Sequence, residues 1–227
     1  MENASDETVY DAIIAGAGPS GASAALFLAK EGRKVLLLDK SDFPREKVCG
    51  DAFSGKSIGV MRELGLLHFI EKHPHGIVRG VLMVSPDGKS VSVPFPNADG
   101  MGFAGYTIAR INTDNILFQS ARANPNIKAI TGFQVQGLIK DPSGAVCGVE
   151  GTGKGGAKAS FKSRVVVGAD GAASAVSRLA GLPNQPIGHV YSAIRGYWDG
   201  VEGLTGDIEL YFIDGVLPGY LWVFPMG

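Results

Sequence analysis

Residues 9–39 read VYDAIIAGAGPSGASAALFLAKEGRKVLLLD and contain two short apolar runs on either side of a glycine-rich turn. The runs Val9–Ala15 and Lys34–Asp39 are almost uninterrupted, as in parallel strands that are covered on both faces. Between them, Pro19–Glu31 is rich in alanine and leucine, begins with proline and is followed by Gly32, which indicates a helix. The stretch therefore predicts a βαβ unit with a right-handed crossover.

The turn between the first strand and the helix, residues 16–21, reads GAGPSG and fits the pattern G-x-G-x-x-G. In a dinucleotide-binding turn, Gly16 would permit the tight turn, Gly18 would let the backbone approach a pyrophosphate, and Gly21 would let the helix lie close to the strand. Asp39 ends the second strand 18 residues after Gly21, where its carboxylate can accept hydrogen bonds from ribose hydroxyls. The pattern predicts a dinucleotide site but leaves FAD and NAD open.

A second acidic residue flanked by glycine occurs in residues 164–174, RVVVGADGAAS, after another apolar run. Asp170 would then lie at the carboxyl end of a strand, where open α/β sheets bind ligands, although Asp-Gly is also an ordinary turn sequence. Together with the first motif, this segment resembles the para-hydroxybenzoate hydroxylase-like class of FAD-dependent oxidoreductases, through Gly168, Ala169, Asp170, Gly171, Ser174 and Val176. The resemblance implies that the dinucleotide is FAD and that Asp170 approaches its ribityl or ribose portion.

Two further segments resemble the geranylgeranyl reductase family. Residues 43–51, FPREKVCGD, match its P-x-x-K-x-C-G-D motif, and residues 220–225, YLWVFP, match its Y-x-W-x-F-P motif. The resemblance implies saturation of isoprenoid double bonds by reduced FAD, on geranylgeranyl groups of chlorophyll precursors, lipids or quinone tails. It also implies an isoprenoid or lipid substrate with transient access to a membrane, and NAD(P)H or ferredoxin as the electron donor.

The candidate catalytic residue is Cys49, which would orient the alkene or relay a proton to it. An inert buried thiol is the alternative, because free cysteine is among the most buried residue types. Tyr220, Trp222 and Phe224 alternate along a strand and are the expected substrate-binding residues, with core packing as the alternative.

The resemblance also assigns residues around the cofactor. Arg110 matches an arginine that precedes a helix in the family, and Asp114 can serve as the acidic residue near the start of that helix. No metal ligands are expected, since the histidines show no metal-binding spacing. The expected cofactor-binding residues are Gly16, Gly18, Pro19, Ser20, Gly21, Asp39, Lys40, Lys47, Cys49, Gly50, Asp51, Arg110, Val135, Asp170 and Gly171.

Two other functions stay open. One is a flavin-dependent monooxygenase or halogenase of the same fold, since YLWVFP half-matches the W-x-W-x-I-P signature of halogenases. The other is a non-catalytic FAD-binding fragment, because the class has a later G-D-A/S motif that opens a long helix. The later Gly-Asp of this chain, Gly206-Asp207, precedes a strand-like run and is interpreted as a decoy. We therefore expect an incomplete enzyme that ends at Gly227, with the adenosine half of its FAD site intact.

The composition argues against several classes of protein. Lys and Arg number 21 against 22 Asp and Glu, so no basic surface for nucleic acid is expected. No apolar run reaches the roughly 20 residues of a bilayer span, and the start of the chain is polar and acidic. These features favour a cytoplasmic protein, peripheral to a membrane at most.

The predicted fold is a doubly wound, Rossmann-like α/β FAD-binding domain with an interleaved β-rich substrate domain whose C-terminal part is missing. Residues 9–76 and 105–188 are expected to form the FAD-binding domain, and residues 80–95 and 189–227 the partial substrate domain. Other predicted elements are a helix, a hairpin, a long strand and a strand-rich stretch, over residues 55–71, 80–95, 128–140 and 189–224 respectively.

Overall fold

The structure is a computed structural model that describes residues 4–53, 55–95, 105–183 and 185–226. Its elements, in chain order, are β1 (Ala4–Ala15), α1 (Pro19–Lys30), β2 (Val35–Asp39), β3 (Ala52–Phe53), α2 (Gly55–Glu63), α3 (Leu67–Ile70), β4 (Gly76–Val78), β5 (Gly80–Val84), β6 (Ser90–Pro94), β7 (Gly105–Thr107), α4 (Arg110–Arg122), β8 (Ile127–Thr131), β9 (Gln134–Lys140), β10 (Val146–Thr152), β11 (Lys158–Gly168), α5 (Ala175–Leu179), β12 (Ile208–Tyr211) and β13 (Leu221–Val223). Among the described residues, no helix combines the length and the apolar character needed to cross a bilayer.

The chain divides into two compact units. The first unit consists of residues 1–45 and 114–192, and the second of residues 46–113 and 193–227. These bounds differ from the predicted domain bounds in residues 46–76 and 105–113, which group with the second unit, and in residues 189–192, which group with the first. The assignment of cofactor and substrate binding to two separate domains stays a prediction.

The first unit is built on a six-stranded sheet with the strand order β8-β2-β1-β11-β10-β9. The four strands β8, β2, β1 and β11 run parallel to one another, whereas β10 is antiparallel to both β11 and β9. Consequently β1, β2 and β11 end at the same edge of the sheet. The predicted Rossmann-like α/β arrangement, with its β1-α1-β2 unit, is confirmed.

Burial on both faces explains why the central strands are apolar at successive positions. Ile13 and Ile14 point to opposite faces of β1, yet both are fully buried, and residues 35–38 of β2 are buried as well. Full burial of one such side chain contributes about 1.5–3 kcal/mol relative to its exposure. Helix α1 turns small residues inward, including Ala22 and Ala25, which lets it lie close to the sheet.

The second unit contains a four-stranded sheet with the order β13-β12-β5-β6 and a three-stranded sheet with the order β3-β7-β4. The predicted hairpin is present as β5 and β6, which pair antiparallel around the turn at residues 86–88. Its Gly88 has a φ of +83°, a backbone conformation that residues other than glycine rarely adopt.

Three predicted elements differ from the structure, and glycine accounts for two of them. The predicted helix over residues 55–71 breaks into α2 and α3 at Gly65 (φ +71°), and the predicted strand over residues 128–140 divides into β8 and β9 at Gly132 (φ +69°). A positive φ is incompatible with a continuous helix or strand. In the predicted strand-rich stretch, β12 and β13 are the strands among the described residues, and residues 190–207 are irregular.

Candidate dinucleotide-binding site

The glycine turn connects β1 to α1 and lies against the end of β11. Gly16 has a φ of +101°, and a Cβ at this position would collide with the backbone of Ala169. A Cβ on Gly21 would collide with the Gly16 carbonyl, so both positions require glycine for steric reasons. The turn is tied to β11 by the Ala169 N–H, which donates to the Ala15 carbonyl at 2.7 Å. Pro19 and Ser20 occupy the first turn of α1.

Asp39 links the end of β2 to this glycine turn. Its Oδ2 accepts a hydrogen bond from the Ala17 N–H at 2.7 Å, and its Oδ1 accepts one from the Ser41 N–H at 2.8 Å. The side chain is buried. A carboxylate has about four lone-pair sites, so the two backbone bonds leave acceptor capacity on both oxygens. Asp39 can therefore accept ribose hydroxyls, as the sequence predicts.

Asp170 lies beyond β11 and is engaged by the start of α5. Its carboxylate accepts hydrogen bonds from the Ser174 hydroxyl and from the backbone N–H groups of Ala175 (2.6 Å) and Val176 (3.2 Å). Gly171 follows with a φ of +85° and is exposed. These bonds give Asp170 a structural role at a helix N-terminus, and its contact with the cofactor stays a prediction.

The glycine turn, Asp39 and Asp170 follow the carboxyl ends of β1, β2 and β11, which are adjacent in the sheet. Three segments that are distant in the sequence are thus brought to one edge, where parallel α/β sheets bind ligands. The residues fit a dinucleotide: a turn whose three glycines carry no Cβ atoms, the free N–H groups of the α1 N-terminus for phosphate, and a carboxylate for ribose. The structure thus brings the glycine turn, Asp39 and Asp170 to the same edge of the sheet.

The loop after β2 carries a cation that the sequence analysis did not identify. The Arg45 guanidinium lies 3.9 Å from Asp39 Oδ2 and 3.4 Å from Asp114 Oδ2, and it stacks 4.8 Å above the Phe43 ring. Phe43 in turn stacks on Phe118 of α4 with ring centroids 4.2 Å apart. The proximity of Arg45 to Asp114 depends on the fold, so no local pattern could reveal it.

Two other predicted cofactor residues of the first unit lie in different environments. Lys40 is exposed immediately after β2. Val135 is on β9, at the opposite end of the sheet from β8, and its side chain belongs to the buried hydrophobic core together with Phe133 and Phe161. Contact of either residue with a cofactor stays a prediction.

In the second unit, the buried Asp51 is the centre of a polar cluster that reaches the surface at Glu46 and Tyr197. Its Oδ1 accepts hydrogen bonds from the Arg110 backbone N–H (2.9 Å), Arg195 Nη1 (3.0 Å) and the Tyr197 hydroxyl (3.0 Å). Arg195, only 7% exposed, also donates to Glu46 Oε2 at 3.0 Å. Burial, reinforced by the negative charge of Asp51, raises the pKa of Tyr197 to about 12. The cluster joins the start of α4 to two loops and gives Asp51 a structural role that the sequence did not indicate.

Cys49 lies two residues before Asp51 and is exposed, so the alternative of a buried thiol does not hold. Its backbone carbonyl accepts a hydrogen bond from Arg195 Nη1 at 3.4 Å. The neighbouring Lys47 and Gly50 are also exposed. The loop that carries the predicted catalytic residue is thus held through its backbone and its acidic residues.

The three aromatic residues of the C-terminal motif form a row along β13 and the residues next to it. Ring centroids are 6.1 Å apart between Tyr220 and Trp222, and 6.2 Å between Trp222 and Phe224, which are stacked. Tyr220 is 46% exposed, and the other two are half-buried. The row is partly accessible, and its contact with a substrate stays a prediction.

The Gly206-Asp207 pair has a structural function in the same unit. Asp207 Oδ1 accepts hydrogen bonds from the backbone N–H groups of Arg79 and Gly80, both at 2.8 Å, and β12 follows directly. A strand rather than a helix therefore follows this pair, in agreement with its interpretation as a decoy.

Known proteins with similar sequences and folds carry FAD-binding domains. The family described as "FAD binding domain" matches residues 9–194. The menaquinone reductase of Mycolicibacterium smegmatis is 32% identical over 97% of this chain and 53% of its own length. The digeranylgeranylglycerophospholipid reductase 1 of Methanococcoides burtonii is 30% identical over 96% of this chain and 52% of its own length. The chain thus spans about half the length of the curated relatives it matches.

Solved structures show the same fold at lower identity. A geranylgeranyl bacteriochlorophyll reductase-like protein of Thermoplasma acidophilum superposes with a TM-score of 0.75 at 23% identity, covering 99% of this chain and 55% of that protein. A probable FAD-dependent monooxygenase of Pseudomonas aeruginosa superposes with a TM-score of 0.73 at 19% identity, covering 97% and 58%. The resemblance to the geranylgeranyl reductase family is confirmed. Through its match over residues 9–194, the chain belongs to the family of FAD-binding domains and has geranylgeranyl reductases among its relatives.

Proposed function

We propose that the protein is a FAD-dependent oxidoreductase that reduces isoprenoid double bonds. The observation that carries the proposal is the arrangement of the glycine turn, Asp39 and Asp170 at the ends of three adjacent parallel strands. The glycine turn and the start of α1 would hold the pyrophosphate of FAD, and Asp39 would hold the ribose of its adenosine half. When bound and reduced, FAD supplies a hydride, which is the redox step that amino-acid side chains do not provide.

The substrate class is proposed from what the named relatives have in common. One is named for menaquinone and the other for a digeranylgeranyl glycerophospholipid, and both compounds carry polyprenyl chains. The partly exposed row of Tyr220, Trp222 and Phe224 would offer aromatic surface to such a chain. We therefore propose a polyprenyl group, on a lipid or a quinone, as the reacting part of the substrate.

Reduction of an isolated alkene also needs a proton on the carbon next to the one that receives the hydride. We propose that Cys49 orients the alkene or relays this proton from water, because its thiol is exposed while its loop is fixed by Arg195 and Asp51. Replacement of Cys49 by alanine or serine is expected to slow alkene reduction by a larger factor than it weakens FAD binding. Cys147, the other free cysteine, is half-buried on β10, and its alanine variant is the matched control.

The direct test combines flavin binding with product analysis. Purified protein is titrated with FAD, and the bound flavin is then reduced under nitrogen. The reduced protein is incubated with menaquinone or with a digeranylgeranyl glycerolipid, and the mass of the product is determined by mass spectrometry. A gain of two hydrogens that fragmentation places in the polyprenyl chain, and that persists after the quinone ring is reoxidised in air, supports the proposal. A product that gains oxygen under air indicates a monooxygenase instead, and FAD binding without any product from either substrate indicates a non-catalytic FAD-binding protein.

A further inference from the structure

Arg45 is a cation held close to Gly18 of the glycine turn. Its side chain is 16% exposed and lies between two buried carboxylates, those of Asp39 and Asp114. Its guanidinium lies over the face of the Phe43 ring, and the Phe43 ring in turn stacks on the Phe118 ring. An arginine held on several sides has already lost most of its rotamer freedom, so it can bind a ligand with little further loss of entropy.

The position of this cation relative to α1 suggests its ligand. Arg45 Nη2 lies 3.3 Å from the point that a Cβ on Gly18 would occupy, and Gly18 is the residue that directly precedes α1. The N-terminus of a helix attracts anions through its free N–H groups and its dipole. Arg45 thus places a full positive charge beside the partial positive charge of the helix, where the pyrophosphate is expected.

We propose that Arg45 binds the pyrophosphate of the dinucleotide and that Asp114 positions its guanidinium for this contact. The inference rests on the proposed FAD site and adds two residues to it. The distances of 3.4 and 3.9 Å from the guanidinium to its carboxylates exceed those of strong charge-assisted hydrogen bonds. Arg45 therefore keeps the ability to donate to a phosphate, which suits its planar fork of N–H groups.

The role of Asp114 follows from its charge and its burial. The side chain is fully buried on α4, and its negative charge by itself would repel a nearby phosphate. Its Oδ2 lies 3.4 Å from Arg45 Nη1, close enough to orient that cation. Asp114 is consequently a positioning residue, which acts on the ligand through Arg45.

The proposal is tested by binding measurements on the full chain. FAD, ADP and adenosine are titrated calorimetrically into the parent protein and into variants at Arg45, and adenosine reports on contacts that do not involve phosphate. Arg45→Gln is expected to weaken FAD and ADP about tenfold or more while changing adenosine by less than about twofold. Arg45→Lys, which keeps the charge but not the fork, is expected to recover part of the loss. Equal ADP affinity in the parent and in Arg45→Gln would overturn the proposal, whereas a parent protein that binds none of the three ligands would overturn the proposed FAD site itself.

The sign of the effect at Asp114 separates positioning from simple charge. Asp114→Asn removes a negative charge that repels the phosphates of ADP, so the change in charge alone would strengthen ADP binding. Loss of the position of Arg45 would weaken it instead. We expect a net weakening of about threefold to tenfold. Asp42→Asn is the matched control, because Asp42 carries the same charge as Asp114 and lies on the loop of Arg45, but it is exposed beside Lys154. If Asp114→Asn does not fold, Asp114→Glu keeps the charge and displaces the carboxylate, and it is expected to weaken ADP as well. Tighter ADP binding by a folded Asp114→Asn, or unchanged binding by Asp114→Glu, would contradict the positioning role.

Discussion

Replacement of Asp51 by alanine is expected to destabilise the second unit through loss of one acceptor atom. Asp51 Oδ1 receives the Arg110 N–H, Arg195 Nη1 and the Tyr197 hydroxyl. A buried donor left without an acceptor costs about 1–3 kcal/mol. The Arg110 N–H would lose a buried partner, whereas Arg195 would keep Glu46 and the Tyr197 hydroxyl could turn to water. The expected loss is therefore about 3 kcal/mol, below the sum of three full penalties.

Asp51→Asn provides the graded comparison, because its amide oxygen can still accept the same donors while the charge is lost. We expect this variant to lose about 1–2 kcal/mol, since hydrogen bonds to a charged acceptor are stronger than those to a neutral one. The order of stability is then parent, Asp51→Asn, Asp51→Ala. A reversed order would show that the negative charge of Asp51 destabilises the fold.

The assay is urea unfolding followed by tryptophan fluorescence. Both tryptophans of the chain, Trp198 and Trp222, lie in the second unit and report on it directly. With a urea dependence of about 2 kcal/mol per molar, Asp51→Ala should lower the unfolding midpoint by about 1.5 M. Asp87→Asn, which breaks the exposed ion pair with Lys89, is the control and should leave the midpoint unchanged. If Asp51→Ala shifts the midpoint no more than this control, the polar cluster does not stabilise the unit.

Three further predictions concern stability and cofactor binding. Thr113 is fully buried, and its Oγ1 has no hydrogen-bond partner among the described residues, so Thr113→Val should raise the free energy of unfolding by about 1 kcal/mol; a lower urea midpoint would contradict this. Burial, with the carboxylate of Glu71 3.0 Å from its hydroxyl, raises the pKa of Tyr106 to about 12. Because the folded state therefore holds this proton more tightly than the unfolded chain, whose tyrosine pKa is about 10, the stabilisation is complete below pH 10 and is lost as the pH rises towards 12. Tyr106→Phe should show a smaller decline over that interval in unfolding experiments. Gly21→Ala should weaken FAD binding at least about tenfold, since its Cβ would displace the glycine turn. Gly59→Ala, within α2 and with nothing within 4 Å of the added Cβ, should leave FAD binding unchanged, and equal losses in the two variants would refute the steric reasoning.

Local sequence patterns were sufficient for the parts of the fold that depend on neighbouring residues. The apolar runs around the glycine turn predict β1, α1 and β2 because burial on both faces leaves no place for polar side chains. Patterns failed where one residue interrupts an otherwise regular stretch. The positive φ of Gly65 and that of Gly132 each end an element, but glycine also occurs inside helices and strands, so its presence did not reveal the break.

Contacts between distant segments could not be predicted in this way. Arg195 and Asp51 are separated by 144 residues, and Arg45 and Asp114 belong to a loop and a helix whose pairing depends on the whole sheet. Each of these residues has an ordinary local sequence, and its partner becomes evident only when the strands are in register. Arg45 lies inside the motif of residues 43–51 but at one of its unspecified positions, so the motif assigns it no role.

The acidic residues of the motifs show why a motif alone does not assign a ligand. Asp39 accepts one backbone N–H on each oxygen and keeps acceptor capacity on both, as a ribose-binding residue must. Asp51 gathers three donors on one oxygen, and Asp170 caps α5 with both of its oxygens. A cofactor hydroxyl can bind Asp51 Oδ1 or Asp170 Oδ2 only by displacing one of these donors, at a cost comparable to the gain. Of the three, Asp39 is therefore the residue whose replacement by asparagine should reduce the affinity for adenosine while leaving the unfolding midpoint closest to that of the parent protein. A larger loss of adenosine affinity in Asp51→Asn than in Asp39→Asn would mean that free acceptor capacity does not identify the ribose ligand.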